Sequence, residues 1–189
     1  MNSRKDNKNS ISDIVSRKVS GKDIATIGMM VAIIEVCKYA LAFLPNIELT
    51  SFWLIMFTLF LGWKVILVVP VFILVEGCVF GFNIWWFSYL CAWPALVLLT
   101  WIFRRQTSAW FWGILSGAFG LCFGLLCSIP YIVAGTVGGS LQNGLYAGFT
   151  WWVAGIPWDI IHCAGNFVLM LVLHKPVCTV MKKIFVTSD

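Results

Sequence analysis

From Gly21 onward the chain is a succession of apolar runs divided by short breaks containing Pro, Gly, Asn or a cluster of basic residues. Runs of about 20 apolar residues suit helices that cross a hydrocarbon layer. The pattern predicts six of them, at 24–44 (closed by Pro45), 48–63, 64–80, 84–103, 109–135 and 147–174. The second and third are short, with only Gly62, Trp63 and Lys64 between them, so the pair reads either as two spans or as a re-entrant hairpin. Residues 1–23 are polar and of mixed charge; they read as a tail with a short surface helix over Ser12–Lys18. No apolar stretch there precedes a cleavage site, so no cleaved signal peptide is expected. The expected organisation is a polar tail at 1–23, a six-helix transmembrane domain at 24–176 and a second tail at 177–189.

Composition fixes the class. Hydrophobic residues make up 60% and charged residues 11% of the chain, with a mean hydropathy of +0.91. That balance excludes a water-soluble globular domain and gives no footing for nucleic acid. The seven cysteines form no CxxC pair and read as reduced packing residues.

Charge sets the orientation. With six spans both termini lie on one side. That side carries Arg4, Lys5, Lys8, Arg17, Lys18 and Lys22 of the tail, then Lys64, Arg104, Arg105, Lys175, Lys182 and Lys183. The opposite loops, PNIE, GFN and AGTVGGSLQNG, hold no Lys or Arg, and only Lys38 within the first helix falls outside the pattern. By the positive-inside rule this is an all-α, multi-pass cell-membrane protein with both termini cytoplasmic. No internal repeat is evident beyond the echo of IWW at 84–86 in TWW at 150–152.

Few ionisable side chains fall inside the apolar runs. Glu35 and Lys38 stand three residues apart and either pair with each other or serve a site. Glu76 reads as a solvated helix end or a ligand contact. The stretch GIPWDIIHCAGN, residues 155–166, places Asp159, His162 and Asn166 at i, i+3 and i+7 on one helical face. Pro157 is expected to open a fresh helix after a break at AGIP. Asp159 would then stand in a first turn, either capping free amides or facing a ligand. His162 and Asn166 lie beyond reach of such a cap. They either bond neighbouring helices or line a polar cavity, and the cavity is the favoured reading. Of the 11 tryptophans, Trp53, Trp85, Trp86, Trp151, Trp152 and Trp158 gather near the predicted outer ends, as an aromatic belt or as pocket walls. The segment 134–144 reads as a lid or as a plain connector. Ala25, Gly28 and Ala32 form a small-residue surface on the first helix that admits a close neighbour.

Motifs that are missing narrow the function. GxxxxGK[ST], HExxH and GxSxG are all absent, so no P-loop, zincin or serine-hydrolase chemistry is expected. Two histidines without partner ligands give no metal or haem site, and no cofactor is expected. Asp159 with His162 would make an acid–base pair lacking a nucleophile, so an enzyme is not expected.

Several segments resemble the substrate-binding S components of energy-coupling factor (ECF) vitamin transporters. They are ATIGMMVAI, LPNIELTSFWLIMFTLFLGWK, EGCVFGFNIWWFSYLCAWP, GLLCSIPYIVAG and GIPWDIIHCAGNFVLMLVLHKP, and with the six-span plan they cover about residues 22–176. They look most like the cobalamin-type branch. The resemblance implies a vitamin pocket near the outer face, built from helices 4 to 6 and closed by the loop between helices 1 and 2. It also implies docking of helix 1 onto a transmembrane T subunit that works with two ATPases. The family's Ala-xxx-Ala pair falls on Gly28 and Ala32, with Ala25 and Met29 offering a competing register. By region, the ligand contacts would be Asp159, His162 and Asn166, with Trp85, Trp86, Trp152 and Trp158 as walls and Asn46 and Glu48 from the lid. Three other functions stay open: an S component for another vitamin or precursor, a stand-alone secondary transporter or channel, and a non-transporting scaffold or enzyme.

Overall fold

The computed structural model describes residues 20–185, except the side chains of Trp63 and Phe185; the helix expected over Ser12–Lys18 lies outside the described residues. Every regular element is helical: α1 (Gly21–Ala40), α2 (Thr50–Leu61), a 3-10 turn (Gly62–Lys64), α3 (Val65–Phe80), α4 (Ile84–Ile102), α5 (Ala109–Leu121), α6 (Phe123–Val137) and α7 (Leu141–Phe185). All six apolar runs therefore fold as helices, with 109–135 divided at Cys122. Three stretches are long and apolar enough to cross a membrane: Ile84–Ile102, Ala109–Val137 and Leu141–Ile184. The helices α2 and α3 are apolar but only 12 and 16 residues long.

Polarity runs opposite to that of a water-soluble protein. Ser51, Thr58, Ser88, Thr100, Ser116, Asp159, His162 and Asn166 are buried, while Leu98, Ile102, Ile114, Val133, Val168 and Val172 face outward. Several buried hydroxyls are satisfied within their own helices, as Thr58 on the Leu54 carbonyl and Thr100 on the Leu96 carbonyl, or across helices, as Ser88 on the Cys127 carbonyl, whereas the Ser116 hydroxyl has no protein partner. An apolar outer surface of this extent is stable only against an apolar surrounding.

Helix α2 is buried on almost every side, as a helix apolar all round must be. It packs against α1, α4 and α7. α1 buries Ile27, Met30, Val31 and Ile34, an i, i+3, i+4, i+7 face. Ser20 and Asp23 close a capping box at its start. Asp23 Oδ1 also meets Lys64 Nζ at 2.9 Å, and this bond holds the carboxyl well below the usual carboxylate range. Toward the other end of the same two helices, Lys38 Nζ meets Glu76 Oε2 at 2.5 Å. Two ion pairs therefore register α1 parallel to α3.

The tightest packing lies between α5–α6 and α7 and is built on glycine. Gly113, Gly117, Gly120 and Gly124 recur at i, i+4, i+7 and i+11. A Cβ on Gly120 would stand 3.0 Å from backbone atoms of His162 and Cys163, and one on Gly124 would overlap the Asp159 carboxylate. Gly144 and Gly148 likewise admit the backbone and side chain of Ile132. Small residues allow backbones this close and maximise dispersion contact.

Three expectations are corrected here. α7 does not break at AGIP: it runs unbroken through Pro157 and Pro176. An interior proline costs about 3 kcal/mol or more, but residues on both sides of Pro157, Gly148 before it and Cys163 after it, pack closely against α5–α6. Asp159 consequently stands in mid-helix, not in a first turn. The segment 134–144 is no lid, because helix occupies it apart from Gly138–Ser140. α7 also continues through 177–185, the segment expected to be a tail.

The glycine ladder makes a prediction. Gly120→Leu should force α5 from α7 and lower the apparent melting temperature in detergent by several degrees, in line with about 1–3 kcal/mol for overpacking. Gly28→Leu, where a Cβ meets nothing within 4 Å, should leave it unchanged. Equal melting of both variants would remove the ladder from its structural role.

Candidate ligand-binding site

Two hollows open beside the loop 41–49, at the end of the bundle away from Lys64. The first, about 520 Å³, lies between Phe123, Gly124 and Cys127 of α6 and Trp151, Trp158 and Asp159 of α7. The second, about 380 Å³, lies between Lys38 and Tyr39 of α1, Glu48 of the loop, Tyr89 of α4 and His162 of α7. Asn46 and Phe123 border both. The loop reaches this position through Ile47, which packs on Gly165 of α7. Asn46 turns it with φ 54°, a left-handed conformation that Asn adopts more readily than most residues.

The polar face of α7 grades from interior to hollow. Asn166, 3% exposed, donates from Nδ2 to Ser51 Oγ and to the Ser116 carbonyl, both at 3.3 Å, and so ties α7 to α2 and α5. It lines neither hollow. His162, 3% exposed, sets its ring edge-on to Phe123 at 5.1 Å; its Nε2 stands 3.9 Å from Glu48 Oε1 without a hydrogen bond. Asp159, 4% exposed, accepts the Gly124 amide on Oδ1 at 3.0 Å, while Oδ2 has no protein partner. The capping role weighed for Asp159 thus appears in another form. The helix is interrupted at Cys122, and Asp159 accepts one amide of the first turn of α6, that of Gly124, from across the helix interface.

The tryptophans divide. Trp158 borders the first hollow, as does Trp151, which stacks on Tyr131 with centroids 4.0 Å apart. Trp86 gives its indole N–H to the Ile73 carbonyl at 2.7 Å, Trp85 packs edge-on to Tyr89, and Trp152 packs against Phe149. None of these three lines either hollow. Asn46 and Glu48 do sit at the mouth, with Glu48 Oε2 accepting from Thr50 Oγ1 at 3.2 Å. Phe123 and Tyr89, which no sequence pattern singles out, are also part of the wall. Only the tertiary arrangement brings them together, whereas Gly124 belongs to a ladder visible in the sequence spacing.

Lys38 does not pair with Glu35. It reaches Glu76 on α3, which is 1% exposed and therefore no solvated helix end. Its ammonium also lies 5.3 Å from the Phe80 ring centre and 5.4 Å from that of Tyr89, where ring faces stabilise a cation. Lys38 thus places one positive charge on the wall of the second hollow. On the outer side of α1, Ala25, Gly28 and Ala32 are exposed and form no part of either hollow.

No known protein family, curated protein or solved structure matches the chain.

The Lys38–Glu76 pair yields a test. Lys38→Met leaves a buried carboxylate without its partner and should destabilise by about 3–5 kcal/mol, read as a large fall in melting temperature. Lys38→Met combined with Glu76→Leu should recover most of that loss. If Lys38→Met alone melts with wild type, the pair does not hold α1 to α3.

Proposed function

We propose that the chain is the membrane-embedded substrate-binding subunit of an ECF-type vitamin importer, with the ligand taken up at the two hollows. One observation carries this reading. Asp159 Oδ2 and His162 Nε2 are buried polar atoms without protein partners, and their residues line aromatic-walled hollows beneath a loop. Buried polar groups of this kind are ordinarily hydrogen-bonded, so they favour a ligand that bonds them. Asn46 and Glu48 would contribute from the loop, with Phe123, Tyr89, Trp151 and Trp158 covering flat apolar parts.

In this reading six helices span the cell membrane, both termini are cytoplasmic and the hollows open outward. The outward small-residue face of α1, Ala25, Gly28 and Ala32, is where a T subunit bound to two ATPases would dock. The chain would itself perform no catalysis and hold no cofactor.

A corrinoid is the leading substrate by resemblance. It is larger than either hollow, so it would enter only with the loop and Phe123 displaced, merging the two. The present volumes favour a second reading, a smaller flat vitamin or precursor held between Trp151, Trp158 and Phe123. The corrinoid would engage both Asp159 and His162, whereas the smaller ligand would engage Asp159 directly and His162 through Phe123, the wall that the two hollows share.

Orientation is tested first. In a cysteine-free background, Asn83→Cys and Ser140→Cys should react with an impermeant maleimide on intact cells, and Thr107→Cys should not. Labelling at Thr107 alone reverses the orientation and sinks the uptake reading.

Binding is tested on the purified chain without partners. Calorimetry with cobalamin and a panel of smaller vitamins should find one binder. His162→Leu and Asp159→Asn should each weaken it about 5- to 150-fold, the range set by losing one buried partner worth about 1–3 kcal/mol. Trp101→Phe, at the far end of α4, should have no effect. Binding of a vitamin other than cobalamin overturns only the corrinoid assignment, whereas a folded protein that binds none overturns the function.

A further inference from the structure

The opposite end of the bundle holds a third hollow, of about 460 Å³, which the uptake reading does not use. Its polar lining includes Arg104 and Gln106 from the α4–α5 connection and His174, Lys175 and Lys182 from α7. Among the described residues no Asp or Glu lines it, and neither Arg104 nor Lys175 forms an ion pair. His174 is 6% exposed, with its Nε2 3.7 Å from the sulfur of Cys178. The start of α5 also lies here, with Ser108 capping and Ala109 on the wall. Cationic side chains, an imidazole and a helix start converging without a carboxylate form a concave site of one sign, which calls for an anion.

The remaining wall narrows the anion. Leu59, Phe60 and Trp112 are apolar, and the surface around the rim carries exposed Ile102, Trp110 and Val180. A wholly hydrated anion leaves that surface unused. An anion joined to an apolar body uses both parts. The arginine fork favours an oxyanion that accepts two parallel bonds, such as a phosphate. Basic hollows between helices at the cytoplasmic face are the usual setting for acidic headgroups. We propose that this hollow binds the phosphate of an anionic phospholipid headgroup, with the first part of the acyl region against Leu59 and Phe60. The site depends on the chain lying in a membrane and not on the identity of any vitamin.

Native mass spectrometry of the delipidated full chain, titrated in parallel with phosphatidylglycerol and phosphatidylcholine, measures the preference. Wild type should retain phosphatidylglycerol at least about tenfold better, and Arg104→Gln with Lys175→Gln should bring that ratio within about twofold of unity. Arg105→Gln with Lys22→Gln removes the same charge away from the hollow and should preserve the preference. Should the double variant misfold, Arg104→Lys keeps the charge, loses the fork and should still lower the ratio several-fold. Inorganic phosphate and glycerol 3-phosphate, added to wild type in a melting assay, distinguish the sources. A shift with either, abolished by Arg104→Gln with Lys175→Gln and unaccompanied by lipid preference, overturns the lipid and leaves a soluble phosphate as ligand. Equal retention of the two lipids with no phosphate response overturns the site, as does an equal loss in the control variant. Vitamin binding at the other end should be unchanged in both double variants, so failure here leaves the uptake reading standing.

Discussion

Backbone-to-backbone approach between α5–α6 and α7 is the constraint on which the remaining structure depends. Gly120 and Gly124 leave no volume for a side chain on that face, and α7 fills it with His162, Cys163 and the Asp159 carboxylate. In an apolar surrounding there is little hydrophobic drive to bring helices together, so close dispersion contact and interhelical hydrogen bonds must supply it. The ladder provides the first. Asp159 to Gly124 and Asn166 to Ser116 provide the second at the same interface. The same approach explains why α7 passes Pro157 without breaking: an unsupported helix would bend at a lost hydrogen bond, whereas this one is held along a single partner on both sides.

The other half of the bundle is organised by charge. Lys38–Glu76 and Asp23–Lys64 sit near opposite ends of α1 and α3 and fix their parallel register. They are unequal in kind. Asp23 and Lys64 are both partly exposed and near the basic end, where a pair contributes modestly. Glu76 is almost fully buried, and an ionised carboxylate there is tolerable only beside its ammonium. Because Lys38 also forms part of the second hollow, the charge that secures the helix pair is available to whatever enters that hollow.

Helices were legible in the sequence because burial in an apolar medium demands long apolar runs, and every predicted run is helical. Their interruptions were less legible. Pro157 carries the local signature of a break yet is helical, since tertiary packing against α5–α6 outweighs local preference there, and the Gly-rich 134–144 does hold a break, but one of only three residues, Gly138–Ser140. Conversely, nothing in the composition of LCFG marks the turn at Cys122. It depends on a carboxylate 35 positions later that accepts the Gly124 amide. The polar face of α7 was readable as a face from its spacing alone. Its division of labour was not, because Asn166 is spent on Ser51 and Ser116 only once α2 and α5 are in place. The wall tryptophans show the same limit. Trp85 and Trp86 share a sequence neighbourhood and a predicted depth with the others, but the orientation of α4 turns Trp86 to Ile73.

Structural and ligand-binding roles are often set against each other for a polar residue inside a membrane, but Asp159 has two oxygens and they differ. Oδ1 completes the first turn of α6, a bond that any loss of ligand leaves intact. Oδ2 is buried at the edge of the first hollow with nothing from the protein to meet it. His162 divides in the same way, its ring held edge-on to Phe123 and its Nε2 without a hydrogen bond near Glu48. Each group is therefore oriented by one half and left available by the other, an arrangement that would fix a binding atom in advance of a ligand and lower the ordering cost of binding. On the same helical face Asn166 bonds Ser51 and Ser116, while the second half of Asp159 and of His162 stands at the edge of a hollow with no hydrogen bond to the protein.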